Sequence, residues 1–114
     1  MRTDAQLDSF SGLEWSNGVQ IEETQELDAL SVQTRNSTYE IVVTSPGTGQ
    51  VLVRGGAHFP AFTPARLSGS SAGGCVLKRG GVYPGFRLEL EAQGRRIVTS
   101  TIESVDLNPH STEQ

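Results

Sequence analysis

One short stretch holds the most chemically capable residues of the chain, Arg54-Gly-Gly-Ala-His58-Phe59-Pro-Ala-Phe62-Thr-Pro-Ala-Arg66. The His58 imidazole titrates near neutral pH and can carry a proton. Arg54 and Arg66 present planar forks that grip a carboxylate or phosphate through paired bonds. Phe59 and Phe62 offer aromatic faces to a ligand, or else plug the end of a core, which is the commoner use of such side chains. Arg79 joins the set through an internal echo. Val51-Leu-Val-Arg54-Gly-Gly-Ala-His58 aligns with Val76-Leu-Lys-Arg79-Gly-Gly-Val-Tyr83, and Pro60 or Pro84 follows each copy. If the two copies are equivalent strand ends on one rim, then Arg54, His58, Arg66 and Arg79 converge on one anion-binding pocket. If the strands send their ends to opposite rims, no shared pocket exists.

Other motifs carry less. Gly69-Ser-Ser71-Ala-Gly73 fits G-x-S-x-G, and Ser71, Asp106 and His110 follow in hydrolase order. A nucleophile elbow needs a helix after the serine, whereas Cys75–Arg79 reads as a strand. Gly69 and Gly74 are spaced as in a phosphate loop, but the lysine is missing and no helix follows. Arg54-Gly-Gly and Arg79-Gly-Gly read as strand-end turns rather than RNA-binding repeats, which occur in clusters. His58, Cys75 and His110 share no zinc-type spacing, so neither a metal nor another cofactor is expected. Cys75, between Gly74 and Val76, reads as a small buried hydrophobe. Asn36-Ser-Thr38 reads as a turn. No residue is assigned a catalytic role.

The elements that must position these groups are strands. Ser31–Arg35 and Thr38–Thr44 form a predicted hairpin about Asn36–Ser37, which sets Val32 opposite Ile41 and Gln33 opposite Glu40. Ser45-Pro-Gly-Thr-Gly49 turns the chain into a strand over 50–54. Residues 57–74, with Pro60, Pro64 and a Gly/Ser run, read as a long loop. Strands over 75–79, 85–92 and 95–105 follow. In 85–92 Phe86, Leu88, Leu90 and Ala92 alternate with Arg87, Glu89 and Glu91, so the first set faces inward. A turn at Gln93–Gly94 pairs Leu90 with Ile97 and Glu91 with Arg96. The expected fold is all-β, about six mostly antiparallel strands closing into a small barrel or tight sandwich. An acidic arm (1–26), with Leu13 and Trp15 as packing points and a short strand near 18–22, precedes the barrel domain (27–107). A polar tail (108–114) ends the chain.

Charge follows this division. Residues 1–30 carry seven acids and one base, and 31–114 carry six acids and eight bases, so −6 precedes +2. Between Ile41 and Leu88 there is no acid, but there are five bases and ten of the thirteen glycines. That composition suits an anion-binding face which the acidic arm could cover. The 114 residues suffice for one domain, and the single cysteine leaves no disulfide framework within the chain. With no long apolar run and no secretory pattern, a soluble cytoplasmic protein without membrane contact is expected. Large apolar residues are few, so self-association, most simply as a two-fold dimer, is the expected way to bury more surface.

Three phrases, Thr34-Arg-Asn-Ser-x-Tyr39, Val53-Arg-Gly-Gly56 and Arg95-Arg-Ile-Val-Thr-Ser100, resemble a group of small uncharacterised bacterial all-β proteins. The resemblance spans roughly residues 30–105 and implies a bacterial β protein. It carries neither activity nor site residues. The function expected from the residues is a non-enzymatic binding or assembly module. It would take a small anion or a protein partner at the 54–66 and 69–79 loops, with Arg54, His58, Phe59, Phe62, Arg66 and Arg79 as ligand-binding candidates. One alternative is a nucleic-acid-binding barrel, disfavoured by the acidic balance and scarce lysines. The other is a small enzyme using His58.

Overall fold

The computed structural model describes residues 18–72 and 77–110. Leu13, Trp15, Gly73, Gly74, Cys75, Val76, most of the acidic arm and the last four residues lie outside that range. In chain order the strands are β1 (Val19–Gln20), β2 (Ala29–Thr34), β3 (Thr38–Ser45), β4 (Gln50–Gly55), β5 (Phe59–Ser71), β6 (Leu77–Arg79), β7 (Gly81–Val82), β8 (Arg87–Ala92) and β9 (Arg95–Asn108), with one 3-10 turn at Ile21–Glu23. The fold is all-β. Strands β4, β3, β2, β9, β8 and β5 pair in that order, and β5 returns to β4, which closes a six-stranded antiparallel ring. Strand β6 adds to β5 outside the ring, and β1 and β7 form a separate ribbon. Among the described residues no helix is long and apolar enough to cross a membrane.

Alternation builds the core. Val32, Ile41, Val43, Val51, Val53, Leu88, Leu90 and Ile102 are almost wholly buried inside the ring. Period-two side chains put one face of each ring strand there. The β8–β9 hairpin has the expected register, with Leu90 opposite Ile97 and Glu91 opposite Arg96. Its turn residues Gln93 and Gly94 both take positive φ, 55° and 76°, the sense that matches the strand twist.

Two expectations need correction. The β2–β3 turn sits one residue earlier than expected. Thr34 N–H donates to Ser37 O, so Arg35–Asn36 is the turn, and Val32 faces Tyr39 while Leu30 faces Ile41. The partners thus move by two residues, which keeps every side chain on its face. The larger correction is at residues 57–74. Phe59–Ser71 is a thirteen-residue strand rather than a loop. Pro60 and Pro64 argued against a strand because proline cannot donate to a ladder. From Phe59 to Ala65, however, β5 pairs with β4 alone; β8 joins only from Arg66. Backbone donors alternate sides along a strand, so Pro60 and Pro64 fall together on the unpartnered side. There they cost no bond and discourage pairing by another chain.

Strand β5 turns between two neighbourhoods at a register shift spanning Leu67 and Gly69. Strand β9 does the same, pairing with β8 up to Thr101 and with β2 from Ile102. These long strands are the corners of the barrel.

Candidate functional site

The topology places an opening along one edge of β5. Arg66 is paired with Gln50 of β4 and with Glu91 of β8, so β4 and β8 lie on opposite edges. Gly69 is paired with Arg79 of β6 and with Glu89 of β8, so β6 shares the β4 edge. Strands β4 and β6 therefore run end to end along β5, in the same direction, with a gap at Leu67–Ser68. Leu67 N–H donates to Gly49 O at 2.8 Å and Gly80 N–H donates to Ser68 O at 3.0 Å, which fixes the two lips of the gap. The result is a cleft of about 590 Å³. Its walls are the Pro46–Gly49 turn on one side and Leu77, Arg79 and Gly80 on the other, with Arg66 to Ser68 between them. Ile21 and Glu22 complete its lining.

This arrangement explains the internal echo and separates its arginines. The two copies are tandem along one edge. Arg79 lies opposite Gly69, whereas Arg54 follows Val53, which lies opposite Thr63. Six residues of β5 at roughly 3.3 Å each set Val53 about 20 Å along the strand from Arg79, and Arg54 lies one residue further. The structure thus brings Arg66 and Arg79 to one cleft and leaves Arg54, His58, Phe59 and Phe62 outside it. Phe59 is core, 2% exposed. Phe62 is exposed on the outer surface, with the Arg54 guanidinium 4.4 Å above its ring. His58 is exposed and lies 6.3 Å, ring to ring, from Phe59. The Gly–Gly pairs are accounted for by packing. Gly55 and Gly56 take positive φ, and a Cβ on Gly56 would meet the Tyr39 hydroxyl at 2.6 Å. A Cβ on Gly81 would overlap the Tyr83 ring.

Sequence reasoning missed the acids that reach the acid-free stretch from outside it. Glu40 lies opposite Arg54 on β3 and is ion-paired with it. Glu91 of β8 pairs with Arg66 at 3.3 Å. Arg96 lies opposite Glu91 as expected, and its guanidinium reaches Glu89 through Nε and Nη2, both at 3.2 Å. The signal was present in the period-two pattern, which puts Glu40, Glu91 and the arginines on the outer face. Arg79 belongs to none of the ion pairs among the described residues.

The Ser71, Asp106 and His110 series does not assemble. Ser71 is buried near Glu89, Asp106 lies opposite Ser31 at the far end of β9, and His110 meets Asp28 through its backbone N–H. Among the described residues no group of three His, Cys, Asp or Glu side chains could hold a metal.

Among the described residues two carboxyls are held below their usual range. Asp28 accepts the His110 N–H at 2.7 Å and the Gln25 N–H at 2.9 Å, and these bonds favour the ionised form over the opposing effect of burial. For Glu89 the nearby Ser71 hydroxyl contributes most, although its geometry falls short of a full hydrogen bond, and Arg96 adds to it against burial. Burial raises the Tyr83 phenol, with Glu23 and Glu22 adding to the effect. The unfolded chain binds the two carboxyl protons near pH 3.8 and 4.5, and the folded chain binds them lower. Their stabilisation is therefore complete above about pH 5 and is lost as pH falls through the folded values. Urea unfolding should show a stability plateau at neutral pH and a decline below about pH 4.5, and Asp28→Asn should flatten that decline. An unchanged slope in Asp28→Asn would contradict the assignment.

No family model, curated protein or solved structure matches this chain.

Proposed function

We propose that the barrel is a non-enzymatic binding module whose cleft between β4 and β6 takes a small carboxylate or phosphate. The observation that carries the reading is that Arg66 and Arg79 both line one cleft. Arg79 has no ion pair among the described residues, so an incoming anion displaces nothing there. The Arg66–Glu91 pair is exposed on both sides, 60% and 53%, and such a pair is worth at most about 1 kcal/mol, so Arg66 is available for exchange. Glu22 sets one negative charge against the two positive ones. That favours a singly or doubly charged small anion over a polyanion. Charge-assisted bonds of roughly 1.5–3 kcal/mol each, less ordering costs, give millimolar to micromolar affinity.

The two other readings have less support. Among the described residues His58 has no hydrogen-bond partner to orient or activate it. Of the described Phe and Tyr side chains only Phe62 is exposed, and Arg54 covers it, whereas single-strand binders use several open aromatic faces.

Isothermal titration with inorganic phosphate, and separately with acetate, tests the proposal. Saturable binding should be abolished by Arg79→Ala and untouched by Arg87→Ala on the opposite side of β5. Equal binding by both variants, or none by the wild type, would overturn it. Retention on immobilised single-stranded DNA at low salt, lost in Arg54→Ala but not in Arg79→Ala, would favour the nucleic-acid alternative.

A further inference from the structure

The outer face of β2, β3, β4 and the first half of β5 carries a regular pattern of rows. The register sets Ala29 beside Val42, Val42 beside Leu52 and Leu52 beside Pro64, so an apolar belt crosses four strands on the outside of the barrel. The inward neighbours Ile41, Val43, Val51 and Val53 are buried, whereas Val42 and Leu52 are only partly covered and Pro64 is exposed. One row along, Glu40 lies opposite Arg54, both exposed. On the other side of the belt is a hollow of about 310 Å³ lined by Leu52, Pro64, Ala65, Gln50 and Arg66 among others.

Beside the belt, in front of β2, stands Leu27. It takes φ 73° at the third position of the Gln25–Asp28 turn, closed by Asp28 N–H to Gln25 O, where glycine is the usual residue. The Leu27 N–H also donates to Val43 O, which ties the turn to β3. A leucine in this conformation is strained, and here its side chain is 49% exposed.

We propose that this face is the interface of a two-fold dimer. The occupant is a second copy because the charge pattern is self-complementary. A two-fold axis parallel to the strands, between β3 and β4, lays β3 of one protomer over β4 of its partner. Val42 then meets Leu52 and Glu40 meets Arg54, in both directions at once, as an isologous interface requires. The same operation lays the β2 side over the β5 side and carries Leu27 to the hollow beside Leu52 and Pro64. The exposed strained leucine and the hollow that receives it thus answer to one axis. This inference does not rest on the anion cleft, although Arg66 lines both the cleft and the hollow.

Sedimentation equilibrium of the full chain tests it, with circular dichroism melts confirming that each variant folds. The wild type should move from the 12.2 kDa chain mass toward twice that value as concentration rises to high micromolar. Glu40→Arg and Arg54→Glu should each weaken association by at least about tenfold, since each sets like charges opposite across the axis. An equimolar mixture of these two variants should recover the dimer, because every facing pair is then opposite in sign. Leu27→Gly should weaken association while raising the melting temperature of the monomer. A wild type that stays monomeric, single charge variants that associate like the wild type, or a mixture that stays monomeric would each overturn the proposal. So would a stable complex on this face with a different protein in place of the second copy.

Discussion

Leu88→Ala lowers the free energy of unfolding by about 2–5 kcal/mol, whereas Arg87→Ala, one residue away, changes it by no more than about 0.5 kcal/mol. The contrast follows from the pleat. Leu88 is fully buried in the core, and Arg87 is exposed on the outer face of β8. Truncating the leucine removes apolar contact and leaves a cavity that a closed ring collapses poorly, because its neighbours are fixed by pairing on both sides. Truncating the arginine removes no ion pair among the described residues. Urea unfolding at neutral pH measures both. Comparable losses in the two variants would mean that β8 faces the other way.

The second large effect is at Gly69, where β5 meets β6 and β8 together. Its φ of 146° is a conformation that L side chains rarely adopt, and an added Cβ would overlap the Lys78 carbonyl oxygen. The obstacle is backbone, so no rotamer change relieves it. Gly69→Ala should cost about 2–5 kcal/mol, from backbone strain and overpacking together. It should also speed amide exchange at Gly80, whose N–H bonds to Ser68 O and holds β6 against β5. Unfolding and Gly80 exchange both unchanged from the wild type would show that the bulge is not needed to seat β6. Losing β6 also removes a wall of the cleft, so this variant should bind phosphate no better than Arg79→Ala.

Much of the barrel was legible because it obeys period two. Leu88, Leu90 and Ala92 face inward as the alternation requires, Phe86 is buried just ahead of β8, and Gln93–Gly94 supplies the two positive φ values of a tight hairpin. The β2–β3 register was displaced by one turn residue. Asn36–Ser37 and Arg35–Asn36 are equally plausible turn pairs, and only the Thr34–Ser37 bond selects between them. Strand β5 was hidden because its two prolines, normally breakers, sit where the strand has a single neighbour. A proline pair four residues apart is compatible with one unpartnered edge, and that reading was open in the sequence.

The candidate site was half legible. Arg66 and Arg79 could be named from residue type and from the echo. Their separation from Arg54 depends on β4 and β6 lying end to end rather than side by side, which no local pattern encodes. The neutralising acids were missed for a related reason. Glu40 and Glu91 are outside the acid-free stretch in sequence, but antiparallel pairing carries them to Arg54 and Arg66. Linear charge runs describe a β surface poorly, since each strand's outer face is set against its neighbours. Leu27 gave no signal at all, because a positive φ is expected of glycine or asparagine and seldom of leucine.

The most direct measurement is a phosphate titration followed residue by residue through backbone amide resonances. The predicted result is saturable shifts at Gly47, Ser68 and Gly80, on the two walls and floor of the cleft, that share one dissociation constant and vanish in Arg79→Ala. Shifts centred instead on Gly55, Gly56 and His58, or no saturable shift anywhere, would contradict the assignment of the Arg66–Arg79 cleft as the binding site.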